Sequence, residues 1–248
     1  MKSNYKMTLA YDGTRYYGWE HQPGRLTIQG KIEEVLARMC EVPVEQIEVI
    51  GAGRTDGGVH ARGMVANVVL DTTMSEEEIR AYLNRYLPED IAVLDLKTAS
   101  ERFHARYQAA GKTYCYSCYI GDSKPVFDRR YVYVLEQPVD VEAMRRAAVL
   151  LTGEHDYKSF CGNPKMKKST VRVVDQIEIK QMKGYLRFNY HGTGFLQHMV
   201  RIMTGTLLEV GEGKRTPESM TEILEAQDRT KAGWTVPANG LCLMRVDY

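Results

Sequence analysis

Cysteine is scarce in this chain of 248 residues, and its five cysteines, at positions 40, 115, 118, 161 and 242, are odd in number and widely scattered. Such a set does not make a disulfide framework. Cys115 and Cys118 form a C-x-x-C pair, but they lie in a β-favouring run, where side chains three apart point to opposite faces. The six histidines show no metal-ligand spacing either. The sequence therefore predicts no disulfide framework, no metal centre and no redox site.

Long apolar runs are absent as well. No stretch approaches the roughly 18 apolar residues of a membrane-spanning helix. The first five residues, MKSNY, lack the apolar segment of a secretory signal. We therefore expect a cytoplasmic protein that does not enter a membrane.

The chain also lacks an excess of charge of either sign. It has 33 Lys and Arg against 32 Asp and Glu, a formal net charge of +1. A nucleic-acid partner would thus have to bind at local basic patches, because the electrostatic field of the whole molecule is too weak to attract it. Three groups are candidates for such patches: Lys165, Lys167, Lys168 and Arg172; Arg129 and Arg130; and Lys2, Lys6, Arg15 and Arg25.

Glycine, by contrast, is concentrated in one segment. Residues 51–61 read GAGRTDGGVHA, with glycines on both sides of Arg54 and Asp56. Glycine suits unusual backbone angles and close approach of a ligand, so the pattern predicts a loop that presents these two side chains. A guanidinium two residues away favours the ionised carboxylate that a nucleophile requires. The alternative is a glycine-rich surface turn with an exposed ion pair, worth roughly 0–1 kcal/mol.

Two common phosphate-binding motifs do not fit this segment. A dinucleotide fingerprint G-x-G-x-x-G beginning at Gly51 would need glycine where Asp56 stands, and that carboxylate would repel a pyrophosphate. A P-loop needs Lys followed by Ser or Thr after its last glycine, and Gly58 is followed by Val59 and His60. The segment predicts a site of another kind.

Apolar periodicity predicts an α+β fold of two similar halves. In the first, strands at 5–10, 47–50, 64–70 and 91–96 alternate with helices at 28–39 and 75–86 in the order βαββαβ. In the second, strands are predicted at 108–120, 131–134, 171–179, 185–190 and 241–246, and helices at 141–151, 195–208 and 218–226. We therefore expect two ferredoxin-like (RRM-like) halves, residues 1–104 and 105–248, with antiparallel sheets around a cleft that suits a splayed nucleotide.

The glycine segment resembles the G-R-T-D-x-G-V-H-A signature of the TruA family of tRNA pseudouridine synthases, and the likeness extends over nearly the whole chain. Further blocks occur in the family's order: YDGTRYYGW at 11–19, FHAR at 103–106, KTY at 112–114, HMVR at 198–201 and DRT at 228–230. Arg62 and Gln197 depart from the residues frequent in the family. Neither is a candidate site residue, and what they leave open is the choice of tRNA.

The resemblance implies the pseudouridine synthase fold, an activity and a set of roles. The activity is isomerisation of uridine to pseudouridine in the anticodon stem-loop of tRNA, at positions 38, 39 and 40, without cofactor or metal and by a homodimer. The implied roles are nucleophile for Asp56, occupant of the flipped base's space for Arg54, stacking on the target base for Tyr114, ion partner of Asp56 for Arg201, and apolar floor for Leu241. Arg201 lies on an otherwise apolar helix, where a buried arginine needs a partner.

Two other functions fit parts of the sequence. A non-catalytic double-RRM protein would expose aromatics such as Tyr114 and Tyr116 on its sheets, but it gives no reason for a carboxylate in a glycine loop. A metal-free glycosidase would need a second carboxylate in a comparable loop, and none is present.

Overall fold

The computed structural model describes residues 2–248, which form ten strands and five α-helices. The strands are β1 (Lys2–Tyr11), β2 (Ile50–Gly51), β3 (His60–Asp71), β4 (Ile91–Ala99), β5 (Gly111–Tyr119), β6 (Tyr133–Val134), β7 (Gly153–Asp156), β8 (Val171–Met182), β9 (Tyr185–Gly192) and β10 (Leu241–Asp247). The helices are α1 (Ile28–Cys40), α2 (Glu76–Tyr86), α3 (Val141–Leu150), α4 (Met199–Gly211) and α5 (Ser219–Ala226). The expected mixture of helices and sheet is confirmed.

The chain divides into two compact units. Unit 1 contains the described chain as far as Ala110 together with Leu243–Tyr248, and unit 2 contains Gly111–Cys242. Most of β10 therefore belongs with the N-terminal elements. The division into halves 1–104 and 105–248 stays a prediction drawn from sequence order.

Unit 1 is built on a sheet with the strand order β4-β1-β3-β10, with β2 paired to β3. The pairs of β1 with β3 and with β4 are antiparallel. Met7 of β1 lies opposite Ala66 of β3, and both side chains are fully buried. Strand β1 leads into the segment 11–19, and β3 begins at the end of the glycine segment.

The two helices of unit 1 begin at side-chain caps. Thr27 accepts a hydrogen bond from the backbone N–H of Gly30 at the start of α1, and Ser75 and Glu78 form the predicted capping box of α2. The apolar residues spaced along α1 at 28, 32, 35 and 36 are buried, which confirms its amphipathic pattern.

Unit 2 has the strand order β5-β9-β8-β7, all antiparallel, with β6 added to β5 in parallel. Large aromatic side chains fill its core, among them Tyr116, Phe188 and Tyr190. Helix α4 is buried along most of its length and contacts α3. No helix in the described part of the chain is long and apolar enough to cross a membrane.

The strands expected at 108–120 and 131–134 are shorter in the structure, at Gly111–Tyr119 and Tyr133–Val134, and three further differences have a clear local cause. The strand expected at 47–50 is reduced to β2, because the backbone N–H and C=O of Val49 bond to the side chains of Glu33 and Gln29 on α1 and not to a neighbouring strand. Helix α4 begins at Met199 and not at residue 195, since His198 has a left-handed backbone (φ 59°) that interrupts the helix. Strand β7 was not predicted, because its sequence GEHD has no apolar alternation.

Candidate active site

The glycine segment forms a loop, residues 52–59, between β2 and β3. Two backbone hydrogen bonds fix it to the YDGTRYYGW segment at 11–19. The N–H of Trp19 donates to Thr55 O (3.0 Å), and the N–H of Gly58 donates to Tyr16 O (3.2 Å). A third bond, from Val59 N–H to Asp56 O (3.1 Å), closes the loop on itself. The loop backbone is therefore held on both sides of Asp56.

The 11–19 segment packs against this loop at two positions where only glycine fits. A Cβ on Gly13 would lie 1.9 Å from the carbonyl oxygen of Val59. Gly18 has a φ of +103°, and a Cβ there would lie 2.6 Å from the carbonyl oxygen of Thr55. The two sequence blocks, which are far apart in the chain, thus form one close-packed substructure.

Thr55 anchors the loop from inside. Its side chain is buried, and its Oγ1 is 2.8 Å from the hydroxyl of Tyr11. The residues on either side point away from this anchor: Arg54 is exposed and Asp56 is half-buried. The alternation places the carboxylate at a surface where a substrate can reach it.

A histidine supports the other end of the loop. His60, the first residue of β3, is buried, and its Nδ1 accepts a hydrogen bond from the N–H of Gly13 (3.1 Å). Asp12 Oδ1 lies 3.1 Å from the same nitrogen. Both contacts join His60 to the turn at residues 12 and 13, so the buried imidazole orients this turn.

Arg54 has a different partner from the one its position suggests. Its Nη2 lies 2.5 Å from Glu20 Oε1, and both side chains are largely exposed. Pairs of this kind contribute about 0–1 kcal/mol and exchange easily for a phosphate. The guanidinium therefore lies beside the loop in a weak, solvent-exposed ion pair.

The other three predicted site residues lie in unit 2. Tyr114 is on β5, buried, with its ring edge-on to Phe195 at 5.3 Å between centroids. Arg201 is on α4, half-buried, and its Nε donates to Val236 O (2.8 Å). Leu241, the first residue of β10, is buried. Edge-on packing fixes the plane of the Tyr114 ring, and the bond to Val236 fixes the direction of the guanidinium.

Tyr116, two residues beyond Tyr114 and on the same face of β5, holds the 237–240 turn in place. Its hydroxyl donates to Pro237 O (2.9 Å), and a Cβ on Gly240 would lie 2.6 Å from its ring. Burial raises the pKa of this phenol far above its usual value, and the nearby charge of Arg201 offsets the rise only in part. Tyr116 is therefore neutral at physiological pH, and it positions the residues next to Leu241 without acting as a base.

Sequence reasoning missed the supports of this site. Glu20, His60 and Tyr116 each position a predicted residue or the loop itself, and the apolar pattern singles out none of them. The available signals were indirect: the glycines at positions 13 and 18 inside the YDGTRYYGW block, and the histidine that ends the GRTDGGVH run.

Known proteins resemble this chain over nearly its whole length. A family model described as tRNA pseudouridine synthase matches residues 7–108 and 147–248. The chain is 41% identical over 245 residues to tRNA pseudouridine synthase A 2 of Clostridium perfringens, covering 99% of each chain. It is 43% identical over 247 residues to tRNA pseudouridine synthase A of Bacillus sp. strain KSM-64, covering 99% of this chain and 100% of the relative. It is 45% identical over 245 residues to tRNA pseudouridine synthase A of Moorella thermoacetica, covering 98% of each.

These matches define the class of protein as an isomerase that acts on uridine in tRNA. The chain belongs to the tRNA pseudouridine synthase family, and its relatives are the members called tRNA pseudouridine synthase A, or TruA.

Proposed function

We propose that this chain converts uridine to pseudouridine in the anticodon stem-loop of tRNA, at positions 38, 39 and 40, with Asp56 as the nucleophile. The observation that carries the proposal is the half-buried carboxylate on a loop whose backbone is bonded on both sides of it. A rigid loop of this kind is what positioning of a nucleophile against one sugar carbon requires. A non-catalytic RNA-binding protein would not need it.

The reaction rearranges one nucleoside without any net oxidation. The bond between N1 and C1′ breaks, the detached base turns, a bond forms between C5 and C1′, the C5 proton leaves to solvent, and N1 takes up a proton. Asp56 assists either by attacking C1′, with displacement of the ester when C5 bonds to C1′, or by accepting the C2′ proton as N1 departs, so that a glycal forms and regains this proton when C5 bonds to C1′. Both routes need an ionised carboxylate and exclusion of water while the base turns.

The remaining roles follow the family resemblance and the local geometry of each side chain. Arg54 leaves its exposed ion pair with Glu20. It then either binds a phosphate of the RNA backbone or fills the space that the extruded base leaves in the stack. Tyr114 supplies a fixed ring for stacking, and Leu241 an apolar surface beneath it. Arg201 is assigned to Asp56 as its cation, which its bond to Val236 leaves possible because a guanidinium has five N–H donors.

Two ferredoxin-like halves around a catalytic cleft, action as a homodimer and a cytoplasmic location belong to the same proposal. The antiparallel pairing of β1 with β3 and β4, with a helix before β3 and another before β4, supports the βαββαβ plan in the first half. Sedimentation of the purified protein tests the dimer.

Loss of hydrogen from C5 gives a direct assay. An unmodified tRNA carrying tritium at C5 of uridine should release the label to water when incubated with the protein alone, without any cofactor. Binding of this tRNA without release would favour the double-RRM alternative. Label recovered on free uracil, and not in water, would favour a glycosidase.

Replacement of Tyr114 separates stacking from hydroxyl chemistry. Tyr114→Phe keeps the ring and its edge-on contact with Phe195, so we expect nearly normal tRNA binding. Tyr114→Leu removes the ring and should lose roughly 1–3 kcal/mol of base stacking, seen as a raised Kd in a binding titration. Equal affinity of all three proteins would show that the ring does not meet the base.

Replacement of Arg201 should affect activity far more than stability. Arg201→Met keeps much of the apolar stem and loses the hydrogen bond to Val236 O, so the free energy of unfolding should fall by about 1 kcal/mol. The rate of tritium release should fall by about 10²- to 10³-fold, as for loss of a group that stabilises charge at the reacting centre. Arg201→Lys, which keeps a charge, serves as the comparison. A folded Met variant with an unchanged single-turnover rate would remove Arg201 from the site.

A further inference from the structure

An exposed tyrosine stands outside the proposed uridine site. Tyr107 lies in the segment between β4 and β5, and 82% of its surface is open to solvent, an unusual state for so large a ring. It is in unit 1 and is none of the residues to which a catalytic role has been assigned.

Two buried amides hold this segment rigidly. Asn4 Nδ2 donates to the carbonyl oxygens of Ser100 and Phe103, at 2.9 Å each. Asn67 Oδ1 accepts from the N–H of Ala105 (2.8 Å), and Asn67 Nδ2 donates to Asn4 Oδ1 (3.1 Å). Both asparagines are almost fully buried in the central strands β1 and β3. The segment is thus bonded to the most rigid part of the unit, and a network this complete is costly to disturb.

The outer side of the segment is closed by aromatic contacts. The rings of Phe103 and Tyr248 are 5.1 Å apart, and the ammonium of Lys6 lies over both. The hydroxyl of Tyr248 donates to Ala105 O (2.7 Å). The backbone on which Tyr107 stands is therefore fixed from two directions.

The Tyr107 ring itself rests on His104. Their centroids are 4.1 Å apart with 31° between the planes. His104 Nδ1 accepts from the backbone N–H groups of Arg106 (3.2 Å) and Tyr107 (3.3 Å), which fixes the imidazole. One face of the tyrosine is supported, and its exposure shows that the other face is open.

The surroundings of the open face are basic and polar. Arg102 and Arg106 are exposed, and neither forms an ion pair with any residue of the described chain. Glu101 is the only acidic residue in 100–108. The exposed neighbours of the open face are polar or charged, whereas the core of a protein interface is more apolar than the rest of the surface. An open aromatic plane beside unpaired guanidiniums is instead the arrangement that binds an unstacked nucleotide and its phosphates.

We propose that Tyr107, supported by His104 and flanked by Arg102 and Arg106, is a stacking platform for an unpaired nucleotide of the tRNA, separate from the uridine that reacts. This inference rests on the proposed function for the identity of the RNA. It adds a second point of attachment, which raises affinity and fixes the register of the tRNA without entering the chemical step.

Binding of a fluorescent, unmodified tRNA transcript tests the platform. Tyr107→Ala should weaken binding by about 5- to 150-fold, the effect of losing one stacked base, and Tyr107→Phe should bind as wild type. Arg102→Gln and Arg106→Gln should each lower the slope of log Kd against log salt by about one. In tritium release Tyr107→Ala should raise KM and leave kcat within about twofold, because the reacting residues are untouched.

Tyr86→Ala is the matched control. Tyr86 is also exposed (44%), but its ring already contacts Tyr82 and two arginines, 38 and 85, so less of it is open than of Tyr107. Its replacement should leave binding unchanged. Tyr107→Ala binding within twofold of wild type would overturn the platform, and so would a loss of affinity matched by conversion of a dimer to monomers. If the wild type binds tRNA through Tyr107 but releases no tritium, the platform stands and the proposed catalytic function fails.

Discussion

Asp56→Asn is expected to abolish pseudouridine formation while leaving the fold and tRNA affinity intact. The amide has nearly the shape of the carboxylate but is a far poorer nucleophile and carries no charge to stabilise a developing cation. Loss of a nucleophile typically lowers the rate by about 10⁴-fold or more. Single-turnover tritium release with enzyme in excess measures the chemical step, and a binding titration measures affinity separately.

The control for this substitution is Asp95→Asn. Asp95 is an exposed residue of β4 in the same unit, paired only loosely with Lys97 at 3.7 Å. It should keep the wild-type rate. A rate for Asp56→Asn within tenfold of wild type, in a protein with an unchanged melting temperature, would remove Asp56 from the mechanism. The loop would then be a glycine-rich surface turn.

Gly13→Ala should be the most destabilising single-methyl change in unit 1. The new Cβ would lie 1.9 Å from the backbone oxygen of Val59, an atom that cannot move aside without breaking the bond between His60 and residue 13. We expect a loss of roughly 2–4 kcal/mol in the free energy of unfolding, with loss of activity because the loop that carries Asp56 is displaced. Urea denaturation and tritium release measure the two effects.

Gly57→Ala is the matched comparison, since it adds the same methyl group to the same substructure. Its Cβ would have an ordinary contact of 3.4 Å with Tyr16 O, so its free energy of unfolding should stay within about 0.5 kcal/mol of wild type. Equal stability of the Gly13 and Gly57 variants would contradict the close packing of the loop against the 11–19 segment.

The parts of the fold that follow from local sequence were predictable. The capping box at Ser75 and Glu78 starts α2, and the apolar spacing along α1 marks its buried face. In both cases the signal and the structure lie within one or two helical turns, where intrinsic preferences act. The glycine loop was predicted for the same reason, because the glycines that allow its conformation lie within the loop itself.

The parts that depend on distant contacts were not predictable. Arg54 pairs with Glu20, 34 positions away, and not with the nearer Asp56, because the packing of Gly18 against Thr55 brings the two blocks together. Val49 bonds to side chains of α1, and so the strand expected there shortens to two residues. Periodicity reports which residues are buried but not which partners they find.

Mapping of pseudouridine at single-nucleotide resolution tests the central claim most directly. An unmodified tRNA with uridine at positions 38, 39 and 40 is incubated with the wild-type protein or with Asp56→Asn, in the absence of cofactors, and every position is read for pseudouridine. We predict conversion in the anticodon stem-loop by the wild type and none by the variant. Conversion elsewhere in the tRNA would contradict the proposed target, and equal conversion by both proteins would contradict the role of Asp56.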